Sequence, residues 1–272
     1  MSTNAYDDIA PFYAAMVPPT TRAGLYPANP DMASRIARLS DGSHILDAAC
    51  GSAYDAIAIS RGLPGLCQPP RRFVVACNDR SAAMVRQARE NCRRVLGAEL
   101  EMRQCAMAAL ADVPEWRGRF DLVIAPNALT TLSDTQDLGD YPDYLLDCLA
   151  GMRAVLKPGG TLLVDMRDWD RAHPQAWTLT RRVYEDDDLH FVVDYRWAFG
   201  PTVDSVHEAH MTIWQDAKRD IAMGEEDYRF AGIGSRDLAT LFERARFSVV
   251  AAEPQVRGLD REPFLTFELR RD

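Results

Sequence analysis

From residue 31 to residue 167 the chain alternates between short apolar runs of strand length and segments with helical periodicity. The apolar runs are HILDAAC (44–50), FVVACND (73–79), LEMRQCAM (100–107), FDLVIAPN (120–127) and TLLVDMR (161–167). The helical segments are ASRIARL (33–39), YDAIAISRGL (54–63), SAAMVRQARENCRRVLG (81–97) and PDYLLDCLAGMRAVL (142–156). Ser81 reads as an N-cap and Gly97 as a C-cap, and Lys157-Pro158-Gly159-Gly160 closes the fourth helix. Strands separated by helices must pair by crossover connections, which makes the sheet parallel. The pattern therefore predicts an α/β fold with a doubly wound, mostly parallel sheet.

Two further features complete the architecture. SRDLATLFERARF (235–247) is an amphipathic helix, and SVVAAEP and EPFLTFELRR after it read as two last strands, paired as a hairpin at the sheet edge. They bring the sheet to seven strands. Between the fifth strand and that helix the texture changes. LHFVVDYRWAF (189–199), SVHEAHMTIWQ (205–215) and EDYRFAG (226–232) are β-rich, and Gly200-Pro201 joins the first two. This stretch reads as a small antiparallel lid of three strands. Because it follows the fifth strand, it is placed over the C-terminal ends of the sheet, where open α/β folds bind ligands. The expected division is an N-terminal covering segment (1–30), an α/β domain (31–166 and 233–272) and a β-rich lid (167–232).

Composition narrows the partners. The 272 residues carry a formal charge of −9, so a broad nucleic-acid surface, which needs clustered Lys and Arg, is not expected. No apolar run is long enough to span a bilayer, and the acidic start MSTNAYDDIAPFYA is unlike a signal peptide. The six cysteines form no C-x-x-C pair and read as reduced thiols of a cytoplasmic protein. His207-Glu208-Ala209-His210 would put its two histidines on opposite faces of a strand, so no metal site is expected. Glu185-Asp186-Asp187-Asp188 reads as a solvated turn.

The chemistry is suggested by ILDAACGSAYD. Asp47 ends the first strand and Gly51 lies in the turn that follows. A dinucleotide loop needs three glycines so that the backbone can approach a pyrophosphate. Here Tyr54 and Asp55 bring bulk and negative charge instead. Asp79 ends the second strand, where a carboxylate suits a ribose diol. A cofactor with ribose and no phosphate points to S-adenosylmethionine.

At these residues the chain resembles the class I S-adenosylmethionine-dependent methyltransferases. ILDAACGSAYD is similar to their first motif, NDRSAAMVRQA to the second, FDLVIAPNALTTLSD to the fourth-strand motif and LKPGGTLLVD to the run entering the fifth strand. The resemblance implies a cofactor site at Asp47, Ala49, Gly51, Asp79, Arg80, Ala106, Met107 and Ala125, with Arg22 on the cofactor carboxylate. Two departures stand out. Ala53 replaces a usual glycine, and Ala106 stands where many relatives place an Asp or Asn for the adenine amine.

VDMRDWDRA (164–172), LHFVVDYRW and YRFAGIGSRDLATLFERARF further resemble the glycine N-methyltransferase and glycine/sarcosine methyltransferase group. That resemblance implies that Arg167 holds a substrate carboxylate, that Asn127 and Tyr195 line the acceptor pocket, and that Tyr6, Tyr13 and Tyr26 belong to a segment folding over the cofactor. Gly232-Ile233-Gly234 takes the place of aromatic residues, which leaves room for a larger pocket, so the acceptor need not be glycine and a bigger amino acid or a specialised metabolite also fits. The expected reaction is methylation of the amine of an amino acid or related carboxylate-bearing metabolite. Tyr195, His210 or a pocket carboxylate are the candidates for a general base. Transfer to oxygen in a specialised metabolite, and a non-catalytic cofactor-binding protein of the same fold, are the rival readings. The expected partner is a small molecule, and the group's oligomers make a homo-oligomer compatible with the resemblance.

Overall fold

A computed structural model of the protein describes residues 10, 12–13, 16–17, 19–25, 29–132, 141–172, 179–186, 189–215, 221–257 and 262–272. Its larger sheet has seven strands: β1 (His44–Ala48), β2 (Val74–Asp79), β3 (Glu101–Gln104), β4 (Phe120–Pro126), β5 (Leu156–Arg167), β10 (Phe247–Arg257) and β11 (Glu262–Arg271). Their order is β10-β11-β5-β4-β1-β2-β3. The five N-terminal strands are mutually parallel, and β11 runs antiparallel between β5 and β10. The fold is therefore the doubly wound, Rossmann-like arrangement read from the sequence, with the terminal hairpin at the edge.

The described helices are α1 (Pro19–Arg22), α2 (Pro30–Ile36), α3 (Tyr54–Ser60), α4 (Ala82–Leu96), α5 (Tyr141–Val155), α6 (Trp169–Ala172) and α7 (Ser235–Arg244). The caps of α4 are as the sequence implies. Ser81 Oγ accepts from the Met84 N–H at 3.1 Å, and Gly97 closes the helix with φ 73°. Helices cover both faces of the sheet, so its central strands are apolar throughout. One core cluster gathers Leu46, Val123, Leu149 and Phe242, and the other Ile45, Ile57, Ala88 and Ile124.

Two elements differ from the sequence reading. β5 begins at Leu156, so Lys157-Pro158-Gly159-Gly160 lies inside a strand, with a pairing irregularity between Phe120 and Leu122 of β4. Pro and Gly signalled a loop, but beside that irregularity the ladder tolerates them. The lid has four strands, β6 (Leu179–Asp186), β7 (Leu189–Ala198), β8 (Val206–Trp214) and β9 (Ala222–Ala231), all antiparallel in that order. β6 was missed because its charged sequence LTRRVYED carries little apolar alternation. Asp187 and Asp188 of the acidic run lie outside the described residues, as do Tyr6 and Tyr26.

The lid is joined to the large sheet through the segment after β4. Thr131 bridges Phe230 of β9, Leu132 N–H donates to the Arg229 carbonyl at 2.7 Å, and Ala231 N–H donates to the Thr130 carbonyl at 2.8 Å. One lid face packs Trp169 of α6 against His207, Trp197 and Phe230. His207 is fully buried, accepts at Nδ1 from the Gly200 N–H at 3.0 Å and faces the Val203 carbonyl through Nε2 at 3.2 Å. These partners fix the neutral, Nε2-protonated tautomer of a core histidine.

Candidate functional site

Three cavities of about 80, 220 and 190 Å³ open over the C-terminal ends of the parallel strands. Tyr13, Pro126 and Asn127 line all three. They form one connected region with a junction at the end of β4. The first cavity lies over β2 and β3, the second under the lid, and the third beside the turn after β1.

The turn after β1 sets the boundary between the first and third cavities. Ala49, Gly51 and Ala53 all take left-handed conformations, with φ of 58°, 52° and 60°. Only glycine adopts this region freely, so the two alanines are held there by their surroundings. Gly51 N–H donates to Asp79 Oδ2 at 2.8 Å, and Cys50 N–H donates to the Asn78 carbonyl at 2.9 Å. Ser52 Oγ donates to Gln87 at 2.8 Å, and the Asn91 side-chain amide donates to the Ser52 carbonyl at 3.1 Å. The loop is thus tied to β2 and α4 at successive residues.

Asp79 lines the first cavity with Arg80, Cys105, Ala106 and Met107. Its Oδ1 accepts from the Ser81 N–H at 2.9 Å. Burial raises its pKa, and the N–H groups of Ser81 and Gly51 oppose that rise. Asp47 lines the third cavity and is 1% exposed. Neither of its carboxylate oxygens has a hydrogen-bond partner among the described residues. Burial pushes its pKa well above the usual carboxylate range; the negative charge of Asp55 adds to the rise, the nearby Ala56 N–H opposes it, and Asp79 adds a little more. A desolvated carboxylate without a partner is costly, which marks this position as built for a cationic or donor group.

The second cavity contains Arg167, Tyr195, Trp197, Tyr228, Phe230 and Glu262. Arg167 is 9% exposed, far from the surface pairing that a run of neighbouring aspartates would suggest. Its guanidinium lies 4.6 Å from the Trp197 ring and 4.7 Å from the Phe230 ring, and it faces Glu262 at 3.6 Å. Asp168 pairs instead with Arg171, at 3.4 Å. Tyr195 shares the inner lid face, its register partner being Met211.

Several sequence-identified residues sit elsewhere. Ala125 is fully buried in the sheet core, and its neighbour Pro126 lines the cavities. Arg22, at the end of α1, lines none of the three cavities and lies within electrostatic reach of Tyr54. His210 is on the outer face of β8, paired with Asp227 at 2.7 Å, because the strand alternation sends Ala209 and Met211 inward. It cannot act as a base in the cavity. No group of three metal-ligating side chains occurs among the described residues.

Sequence reasoning missed two acids. Asp165 is fully buried at the end of β5, where it accepts from the Asn29 side-chain amide and the Asn127 N–H. It holds Asn127 in a left-handed conformation, φ 50°, at the junction of the cavities. A single acid inside the apolar run LLVDM was the available signal. Glu262, 2% exposed, opens β11, a strand far from any recognised motif.

A family model described as a methyltransferase domain matches residues 39–246. Among solved structures, the CcbJ methyltransferase of Streptomyces caelestis is 20% identical, with a TM-score of 0.68 over 99% of this chain and 98% of that one. CalS10, an amino pentose methyltransferase from Micromonospora echinaspora solved with SAM bound, is 16% identical, with a TM-score of 0.60 over 100% and 98%. The sugar N-methyltransferase KedS8 of a Streptoalloteichus species is 21% identical, with a TM-score of 0.56 over 89% and 85%. At these identities the likeness establishes the fold.

Proposed function

The chain belongs to the methyltransferase-domain family, and from that premise we propose that it transfers a methyl group from S-adenosylmethionine to an amine nitrogen of a small-molecule acceptor. The observation that carries this reading is Asp47, a buried carboxylate facing a cavity, whose oxygens make no close hydrogen bond to any described residue. The ammonium group of the cofactor's methionine part would satisfy it. Asp79, next door on β2, would accept from the ribose hydroxyls, and Ala106 and Met107 would enclose the adenine in the first cavity. Arg22 remains the proposed partner of the cofactor carboxylate, which requires its side chain to turn from Tyr54 toward the third cavity.

S-adenosylmethionine supplies an already activated methyl group, so the protein contributes alignment and water exclusion. Asn127, fixed by Asp165 at the junction, would position the acceptor against the cofactor. Tyr13 and the lid would cover the site from above. An amine needs only its free lone pair, which suits a junction without a strong base. The sugar N-methyltransferase among the structural neighbours supports nitrogen as the acceptor atom; a carboxylate-bearing acceptor on Arg167 is what the sequence resemblance alone suggests.

The test is calorimetric titration of S-adenosylmethionine into the wild type and Asp79→Ala. Binding in the wild type and at least about tenfold weaker binding in the variant are expected, from the loss of charge-assisted hydrogen bonds. Absence of wild-type binding would sink the proposal.

A further inference from the structure

We infer that the acceptor is a polyhydroxylated, sugar-like amine whose hydroxyl-bearing end docks on the Arg167–Glu262 pair while its nitrogen lies at Asn127. This deepens the methyl-transfer reading and rests on it.

The pair itself is the first reason. Arg167 and Glu262 both face the second cavity, buried and 3.6 Å apart, so the guanidinium charge is already balanced. A substrate carboxylate drawn to Arg167 would also meet Glu262. A vicinal diol meets no such conflict. Its O–H groups donate to the carboxylate while its oxygens accept from the guanidinium. The Trp197 and Phe230 rings hold the guanidinium in place, so the donor–acceptor edge is preorganised.

The cavity wall is the second reason. Tyr195, Trp197, Tyr228 and Phe230 give the second cavity several aromatic faces and two phenol groups. Such surfaces cover the C–H faces of a ring and hydrogen-bond its rim.

Strand order is the third reason. Asn127 follows β4, and Glu262 opens β11, with β5 between them. Two strand spacings separate them, about 10 Å. An acceptor whose nitrogen lies at Asn127 and whose other end reaches Glu262 must be longer than an α-amino acid, whose amine and carboxylate share one carbon. An aminated sugar extended by a second ring or a side chain has that length.

The experiment uses the full-length protein with S-adenosylhomocysteine bound. D-Glucosamine, the aminoglycoside kanamycin, glycine and sarcosine are compared by saturation-transfer NMR and by mass spectrometry of methylated products. Kanamycin is expected to bind, D-glucosamine, a single ring, to bind more weakly, and glycine and sarcosine to fail. Glu262→Gln should weaken sugar-amine binding about tenfold or more, the scale of a lost hydrogen bond to a charged group. Tyr228→Leu should weaken it independently, and both variants should keep wild-type affinity for S-adenosylhomocysteine, which reports that they are folded. The inference is overturned if glycine or sarcosine binds as well as the sugar amines, if no sugar amine binds while S-adenosylhomocysteine does, or if neither variant changes binding. Failure of S-adenosylhomocysteine to bind the wild type overturns the methyl-transfer reading, and this inference with it.

Discussion

Replacing Asp47 by Asn separates the stability of the fold from its cofactor affinity. The side chain keeps its shape and loses its charge. In the wild type the carboxylate is 1% exposed, without a hydrogen-bond partner among the described residues, and near Asp55 and Asp79. Burial, then these two charges, raise its pKa in the folded state. The folded protein therefore binds the Asp47 proton more tightly than the unfolded chain does. The resulting stabilisation is complete below the unfolded carboxylate pKa of about 3.9 and is lost as pH rises through the folded value. Asn cannot titrate, so Asp47→Asn gains on the wild type as pH rises. Each tenfold difference in proton affinity is about 1.4 kcal/mol. At about 2–4 °C per kcal/mol for a chain of this size, that is roughly 3–6 °C in Tm per decade. Melting curves from pH 5 to pH 8.5, without cofactor, should show the variant's advantage growing toward alkaline pH. The same variant should bind S-adenosylmethionine about 10- to 100-fold more weakly, through loss of a buried charge-assisted contact. Wild-type binding should release a proton, seen as a binding enthalpy that changes with the buffer's ionisation heat. Parallel Tm–pH curves together with unchanged cofactor affinity would refute this account of Asp47.

Two glycine–alanine exchanges test the backbone around the site. Ala53→Gly releases a left-handed alanine, about 1–2 kcal/mol, but loses a fully buried methyl, about 0.8 kcal/mol, and adds unfolded-chain entropy, about 0.5–1 kcal/mol. The terms nearly cancel, so calorimetric Tm should move by less than about 3 °C. Gly151→Ala places a Cβ 2.1 Å from the Met107 carbonyl oxygen, which forces α5 away from the 3₁₀ turn Met107–Asp112 beneath the first cavity. Overpacking of this kind costs about 1–3 kcal/mol, so Tm should fall by several degrees and S-adenosylmethionine should bind more weakly in the same sample.

The parallel sheet was legible because its strands are buried on both faces and its helices carry strong periodicity and caps. Asp47 and Asp79 were legible because they end adjacent strands, where chain direction and sheet order bring them together. The lid was legible as β-rich but not in strand number, since β6 is charged along its length. Glu262 was not legible at all. It enters the second cavity only because β11 inserts antiparallel beside β5, a pairing that no local pattern encodes. Asp165 shows in the sequence only as a single acid in an apolar run, and its work of holding Asn29 and Asn127 depends on contacts across more than thirty positions of sequence. The grouping with glycine N-methyltransferases rests on the motif residues alone.

The missing glycine at Ala53 bears on whether the site is degenerate. Such a position matters because the backbone there must be left-handed, and Ala53 is left-handed, at φ 60°. Ala49 and Asn127 around the same cavities are left-handed as well. An L-residue with a Cβ costs about 1–2 kcal/mol in this conformation, so these positions persist only where the surroundings over-determine them. The surroundings do so here. Asp79 and the Asn78 carbonyl hold the N–H groups of Gly51 and Cys50, Gln87 and Asn91 hold Ser52, and Asp165 holds the N–H of Asn127. The loop holds its left-handed shape without the glycine that would make that shape easy. Strain over-determined by ties at successive residues is the pattern of a preorganised site rather than of a collapsed one.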